Sequence, residues 1–182
     1  MTLKEKLEGF LNKLNDIEIG MIRNFQKIFL AEKLVNFHRS YEFLSSPKLF
    51  SFIPLLFFSL NRFDKSFQFA KCSIFYIYLS HKFKKLLFRK RPYEYPNIFN
   101  PEHVSSSSFP SNHSAGSVIL ASFFPFHFFV KFLFVLLMLM NRVILGCHFP
   151  TDTIAGAIIG LFIIFLSKLI ENRIIIIIIL FY

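Results

Sequence analysis

Read for its apolar and polar positions, the chain falls into two unlike parts. Up to about residue 37, apolar residues recur at helical spacing among charges: Leu3, Leu7, Phe10, Leu11 and Leu14 share a face opposite Lys4, Glu5, Lys6, Glu8 and Lys13. Ile17, Met21, Ile22, Phe25, Ile28 and Phe29 continue the pattern between Glu18, Arg23, Lys27 and Lys33. This predicts amphipathic helix lying along a headgroup region, although packing against other helices gives the same pattern. After Ser45-Ser46-Pro47 the apolar runs lengthen, and 49–60, 67–83, 114–130, 132–147 and 154–170 read as five spans. The first is short and interrupted by Pro54. The segment 93–110, with three prolines and four consecutive serines, reads as a loop. In the fifth span Gly156 and Gly160 form a GxxxG pair that admits a neighbouring helix. Glu171-Asn172-Arg173 is expected to end that span, and the tail 174–182 is too short to cross again; it reads as a helix extension or an interfacial anchor.

Composition agrees with this reading. The 182 residues are 54% hydrophobic and 19% aromatic, too apolar for an ordinary soluble domain. The predicted fold class is all-α: an integral membrane helical bundle of about five to six spans with an N-terminal amphipathic interfacial segment. Its expected organisation is 1–44 amphipathic, 45–173 core and 174–182 tail. The net charge of +10, gathered in 1–39 and 81–91, points to anionic lipid headgroups. Nucleic acid is not an expected partner, because the chain has no soluble domain to carry those cations. Cys72 and Cys147 have no spacing for zinc or a disulfide framework and read as packing residues. The first twenty residues lack the apolar core of a cleavable signal peptide.

Candidate chemistry lies at the ends of the spans. The segment from Asn141 to Asp152 carries an Arg, a His and an Asp between two apolar runs. His148 and Asp152 are four apart, so a carboxylate is expected to accept a hydrogen bond from one imidazole nitrogen, fix the tautomer and raise the basicity of the other. If the second span ends near Arg91, the third starts on that side at Pro110-Ser111-Asn112-His113 and the fourth returns there at Arg142. Lys84, Arg91, Ser111, Asn112, His113, Arg142, His148 and Asp152 then face one compartment. At mid-bilayer each charge would cost about 2.5 to 3.5 kcal/mol, so they belong at the water interface. Three cations around two histidines repel a divalent metal and favour an anion; no metal or other cofactor is expected. Lys84 and Arg91, close to two helical turns apart, can point at one anion. A helix start at Ser111-Asn112 suits phosphate.

On these residues the chain resembles the type 2 phosphatidic acid phosphatase family (PAP2), which shares its core with bacterial acid phosphatases and vanadium haloperoxidases. The family's Lys, six residues, Arg-Pro stands as Lys84 to Arg91-Pro92. Pro-Ser-Gly-His stands as Pro110-Ser111-Asn112-His113, and Ser-Arg, five residues, His, three residues, Asp stands as Asn141-Arg142, His148 and Asp152. Asn112 replaces the usual glycine and Asn141 the usual serine; Asn112 is expected to keep its N–H aimed at phosphate through tolerance of left-handed backbone, while narrowing the pocket.

The resemblance implies a nucleophilic His148 that forms a phosphohistidine, Asp152 holding its ring, and His113 as acid and then base. Lys84, Arg91 and Arg142 would bind the phosphoryl oxygens, helped by backbone near Ser111 and Asn112. The substrate implied is a lipid phosphate or lipid pyrophosphate, in a bacterial cytoplasmic membrane with the site on the extracytoplasmic face. Five spans would put the basic N-terminus on that same face, against the positive-inside tendency, unless the first segment supplies a sixth. Two further readings are a vanadate-dependent haloperoxidase and a headgroup-binding protein without turnover. His38, His81, His103 and His127 match no motif; His103 is a candidate only for the loop over the site.

Overall fold

The computed structural model describes residues 3–29, 40, 43, 47–100 and 106–181. Among them the chain is helical without strands: α1 (Leu3–Phe29), α2 (Pro47–Ser59), α3 (Phe63–Leu86), a short 3-10 turn at Pro92–Glu94, α4 (Asn112–Phe123), α5 (Phe128–Ile144) and α6 (Pro150–Phe181). His38 and His103 lie outside the described residues. His81 and His127 are exposed, and His127 caps α5 by accepting the Phe129 N–H at 3.3 Å.

Helix ends differ from the expected spans for local reasons. α3 stops at Leu86 and the chain to Arg91 runs extended, so the second span does not continue to the Arg-Pro pair. α4 is only twelve residues, about 18 Å of helix, against the expected run 114–130. Phe124 precedes Pro125, whose ring forces its predecessor out of helical angles, and Phe124 sits at φ −90°, ψ 144°. The fifth span does not end at Glu171-Asn172-Arg173. α6 passes through them to Phe181, so the tail is a helix extension. Pro150–Ile170 (21 residues, mean hydropathy 2.3) is, among the described residues, the one helical stretch long and apolar enough to cross a membrane by length and composition. The five expected spans are not all matched in that sense.

The core is aromatic. Phe50 and Phe57 from α2, Phe69 and Tyr76 from α3, Ile119 and Phe123 from α4 and Ile163 from α6 are buried together. Phe69 sits centrally, 4.9 Å edge-on to Phe123 and 5.1 Å from Phe50 between ring centroids. Large apolar side chains also cover the outside, among them Phe52, Leu55, Ile77, Phe128, Phe132, Ile158, Leu161 and Phe165. α6 lies close against α4 because Gly156 and Gly160 leave room. A Cβ on Gly156 would come within 2.2 Å of the Ser111 carbonyl, and one on Gly160 within 2.7 Å of the Ala115 carbonyl.

α1 packs on the bundle by a stripe that is partly polar. Its buried stripe is Leu11, Asn15, Glu18, Ile19, Ile22 and Gln26, while Phe10, Ile17, Met21 and Ile28 are exposed. Ile19 and Ile22 pack on Val143 of α5 and Phe149. Gln26 donates to the Phe99 and Ile144 carbonyls, each at 2.8 Å, and accepts from the Phe99 N–H at 3.0 Å. Three polar residues face inward because the end of the bundle they cover is itself polar, and buried polar groups must be partnered.

Candidate active site

The C-terminal ends of α3 and α5 and the N-terminal ends of α4 and α6 meet at one end of the bundle, and the turns between them build the site. At the end of α5, Gly146 takes φ +63°, a left-handed value that glycine adopts without penalty. A side chain there would also strike the Phe99 carbonyl, 2.6 Å from a built Cβ. The turn folds the chain back so that the Cys147 and His148 N–H groups both donate to the Arg142 carbonyl, at 3.1 and 3.2 Å. Pro150 then opens α6 in the first-turn position where its missing N–H costs nothing. Asp152, two residues on, accepts the Phe149 N–H at 2.9 Å and caps the helix from within.

The expected His148–Asp152 hydrogen bond is not made. The His148 Nδ1 is 3.8 Å from the nearest Asp152 oxygen, and it bonds instead to the Ser108 carbonyl at 2.7 Å. A carbonyl oxygen can only accept, so Nδ1 carries the hydrogen and Nε2 keeps its lone pair. Asp152 is fully buried and its oxygens are already engaged: Oδ2 accepts from the Ser108 hydroxyl at 2.5 Å as well as from Phe149, and Oδ1 from Arg89 at 2.6 Å. Four-residue spacing brought the two side chains near. The intervening Ser108 took both bonds.

Burial pushes the His148 imidazole down from its ordinary 6.5 to about 3, with Arg91 and Arg142 adding in the same direction and Asp152 only partly opposing them. His148 lies between α5 and α6 and is 3% exposed, so it is neutral at physiological pH.

The cations reach the site by separate routes. Lys84, at the last turn of α3, donates to the Ser107 carbonyl at 2.7 Å. Arg91 does not share a helix with it; it lies on the extended segment beyond α3 and donates to the Ser106 carbonyl (2.9 Å), the Ser106 hydroxyl (3.1 Å) and the Cys147 carbonyl (3.0 Å). Arg142 is buried on the last turn of α5. Ser111 caps α4, its hydroxyl oxygen accepting from Ser114, and its own N–H donates to the Asp152 carbonyl at 3.0 Å, which ties the start of α4 to the first turn of α6. His113 stands in the first turn of α4, one residue after Asn112.

Asn112 has ordinary helical geometry; among the described residues the positive-φ residues other than glycine are Asn61 and Asn97. No left-handed conformation is needed at that position. Its side-chain oxygen accepts from Ser80 of α3 at 2.6 Å and its carbonyl from Tyr76 at 3.2 Å, so the residue standing where glycine is usual braces α4 on α3.

Arg89, Glu18 and Ser108 were not singled out by the sequence. Arg89 is 2% exposed and its donors are spent on Asn15 and Glu18 of α1 and on Thr151 and Asp152 of α6, while its guanidinium lies 3.9 Å over the Phe149 ring. Nothing distinguished it from the neighbouring surface basic residues except its position two before Arg91. Among the described residues, an apolar cavity of about 320 Å³ lined by Leu49, Ile53, Leu120, Phe124 and Phe134 lies near the other end of α4, away from this cluster.

One end of the helical bundle thus gathers a neutral, oriented histidine with Arg91 and Arg142, an arrangement able to hold an anion. Residues 65–176 match the PAP2 superfamily, and the chain belongs to that superfamily. Among solved structures it is similar to LpxE of Aquifex aeolicus, with 21% identity, TM-score 0.72, and 82% of this chain and 93% of that one covered. It is also similar to a transmembrane PAP2-type phosphatidylglycerolphosphate phosphatase from Bacillus subtilis, with 21% identity, TM-score 0.67, and 92% and 96% covered. Comparison with curated proteins found no match.

Proposed function

We propose that the protein is an integral membrane phosphatase that removes phosphate from a lipid phosphomonoester or lipid pyrophosphate through a phosphohistidine intermediate. The observation that carries this is the 2.7 Å bond between His148 Nδ1 and the Ser108 carbonyl, which leaves Nε2 of a neutral imidazole as the nucleophile. PAP2 membership and a fold shared with LpxE and with a PAP2-type phosphatidylglycerolphosphate phosphatase support the reaction class. The apolar exterior supports the bilayer as its surroundings.

In the first step His148 Nε2 bonds to phosphorus while the bond from phosphorus to the lipid oxygen breaks, and His113, which takes up a proton when the phosphate anion binds beside it, gives that oxygen its proton. In the second, His113 takes a proton from water as the water oxygen bonds to phosphorus, the P–N bond breaks, and inorganic phosphate leaves with His148 again neutral. Lys84, Arg91 and Arg142 neutralise the phosphoryl oxygens, and the positive end of α4 at Ser111 and Asn112 adds to them. No step requires a divalent ion. The site faces the extracytoplasmic side, and the lipid tail lies between helices.

Purified protein in detergent is expected to release inorganic phosphate, in the presence of EDTA, from at least one of phosphatidic acid, phosphatidylglycerol phosphate, undecaprenyl pyrophosphate and a lipid A phosphate. Normal turnover by His148→Ala would overturn the scheme. Impermeant labelling of Ser106→Cys but not Lys168→Cys in intact cells is the outcome expected for an outward site, both positions being exposed.

A further inference from the structure

The site contains a chain of buried charges that the phosphohistidine scheme alone does not use. Arg89 of the segment after α3 joins Glu18 of α1 to Asp152 of α6, bonded at 2.5 Å to Glu18 and at 2.6 Å to Asp152. All three are buried, at 4%, 2% and 0% exposure. Asn15 accepts two further Arg89 N–H groups, at 3.1 and 2.7 Å. Glu18 also accepts the Thr151 N–H at 2.7 Å and the Thr151 hydroxyl at 3.0 Å, so it caps the first turn of α6 from another helix.

The arithmetic of this chain bears on the nucleophile. Attack by His148 Nε2 places a positive charge on a ring that already carries hydrogen at Nδ1, and the nearest anion is Asp152, 3.8 Å away. Were Asp152 paired with Arg89 alone, the two would sum to zero, and the developing charge would meet no net anion. Glu18 changes that sum. With two carboxylates on one guanidinium, the group carries a net charge of −1, and in a buried, weakly screened setting that difference acts across more than one hydrogen bond.

We infer that Glu18 is a positioning residue for this reaction, acting through Arg89: it offsets the guanidinium so that Asp152 can stabilise the imidazolium-like charge on His148, which makes the N-terminal helix part of the active site. The inference rests on the phosphatase reading. The N-terminal amphipathic segment is thereby tied to chemistry as well as to the membrane surface, and a chain without α1 loses the neutralising carboxylate.

The test is Glu18→Gln, which keeps the side chain's shape and a carbonyl oxygen to accept the Thr151 N–H, while it removes the charge and the second acceptor oxygen that Arg89 and the Thr151 hydroxyl share. Turnover is expected to fall about tenfold with KM within twofold, since the group touches no substrate. The titratable and charged groups of the elements packed around His148 are Asp152 of α6, Arg142 of α5, Arg89 and Arg91 beyond α3, Lys84 of α3, His113 of α4 and, through Arg89, Glu18 of α1. Loss of Glu18 makes this surround one unit more positive, so the acid limb of the rate profile is expected to move to lower pH. A merely structural role, in which the loosened site admits water, would move it up toward the ordinary histidine value.

The double variant Glu18→Gln/Arg89→Gln removes both charges and is expected to recover most of the lost turnover. Wild-type turnover with an unchanged Glu18→Gln rate, an upward shift of its acid limb, or a folded double variant no better than the single would overturn the inference and leave the phosphatase reading standing. Absence of phosphate release by the wild type from every lipid of the panel is the separate result that removes both.

Discussion

The two halves of the bundle are held together by different physics. Around Phe69, rings from α2, α3 and α4 meet at 4.9 to 6.2 Å, and each contact is a small share of a non-directional attraction. Around Arg89 the opposite holds: five N–H donors meet named oxygens on α1 and α6, and loss of Glu18 or Asp152 unbalances a buried charge. The first region tolerates substitution of similar shape. The second depends on orientation, because a buried charge that loses a partner has nowhere to go.

That contrast can be tested at several points, beginning with chemistry. His148→Ala is expected to abolish lipid phosphate release, a loss of at least about 1,000-fold, because the proposed nucleophile is removed. Phosphate release under substrate saturation measures it, and a small loss would show that the rim does no chemistry. Arg89→Ala is expected next, costing about 3 to 5 kcal/mol by leaving Glu18 and Asp152 buried face to face. Thermal unfolding in detergent reads this, and a variant that melts with the wild type would place Arg89 among the tolerant residues.

Gly156→Ala tests the seam between the halves. Its new methyl would meet the Ser111 carbonyl, so α4 must shift, at about 1 to 3 kcal/mol and with reduced turnover, since Ser111 starts the helix that carries His113. Phe69→Leu in the aromatic region is expected to cost a similar or smaller amount, about 1 to 2 kcal/mol, while leaving kcat unchanged. Equal damage to kcat from both would erase the distinction between core and rim.

The last test is one of pH. The folded His148 titrates near 3 and the unfolded one near 6.5, so the unfolded chain binds the extra proton in between. Its contribution to stability is fully present above about 6.5 and is lost as pH falls toward 3. The melting temperature of His148→Asn should therefore depend less steeply on pH than that of the wild type across that interval, and parallel curves would contradict a buried neutral ring.

Much of the rim was legible as spacing. The Lys84, Arg91-Pro92, Ser111, His113, Arg142, His148 and Asp152 pattern is written in the sequence, and the reversal of direction at each turn implied that its parts would meet. What spacing could not convey was which atoms bond. A four-residue interval places His148 near Asp152 without deciding that the Ser108 carbonyl would lie between them at bonding distance. Lys84 and Arg91 looked like two turns of one helix, but α3 ends at Leu86 and Arg91 arrives on extended chain.

In α1 the amphipathic pattern fitted a headgroup-facing helix and a helix packed on others alike; Phe10, Ile17 and Met21 are exposed, and Asn15, Glu18 and Gln26 are buried. By itself the sequence determined that the chain is helical, that its apolar runs are interrupted by a basic, histidine-containing set, and that this set suits an anion. These properties follow from period, composition and interval, which are local. Tertiary structure alone decided that Glu18 would face Arg89 and that Ser108 would serve both His148 and Asp152. Partners separated by 71 and 40 positions are chosen by where the helices come to rest, and the cost of burying an unmatched charge or donor selects among the possible arrangements.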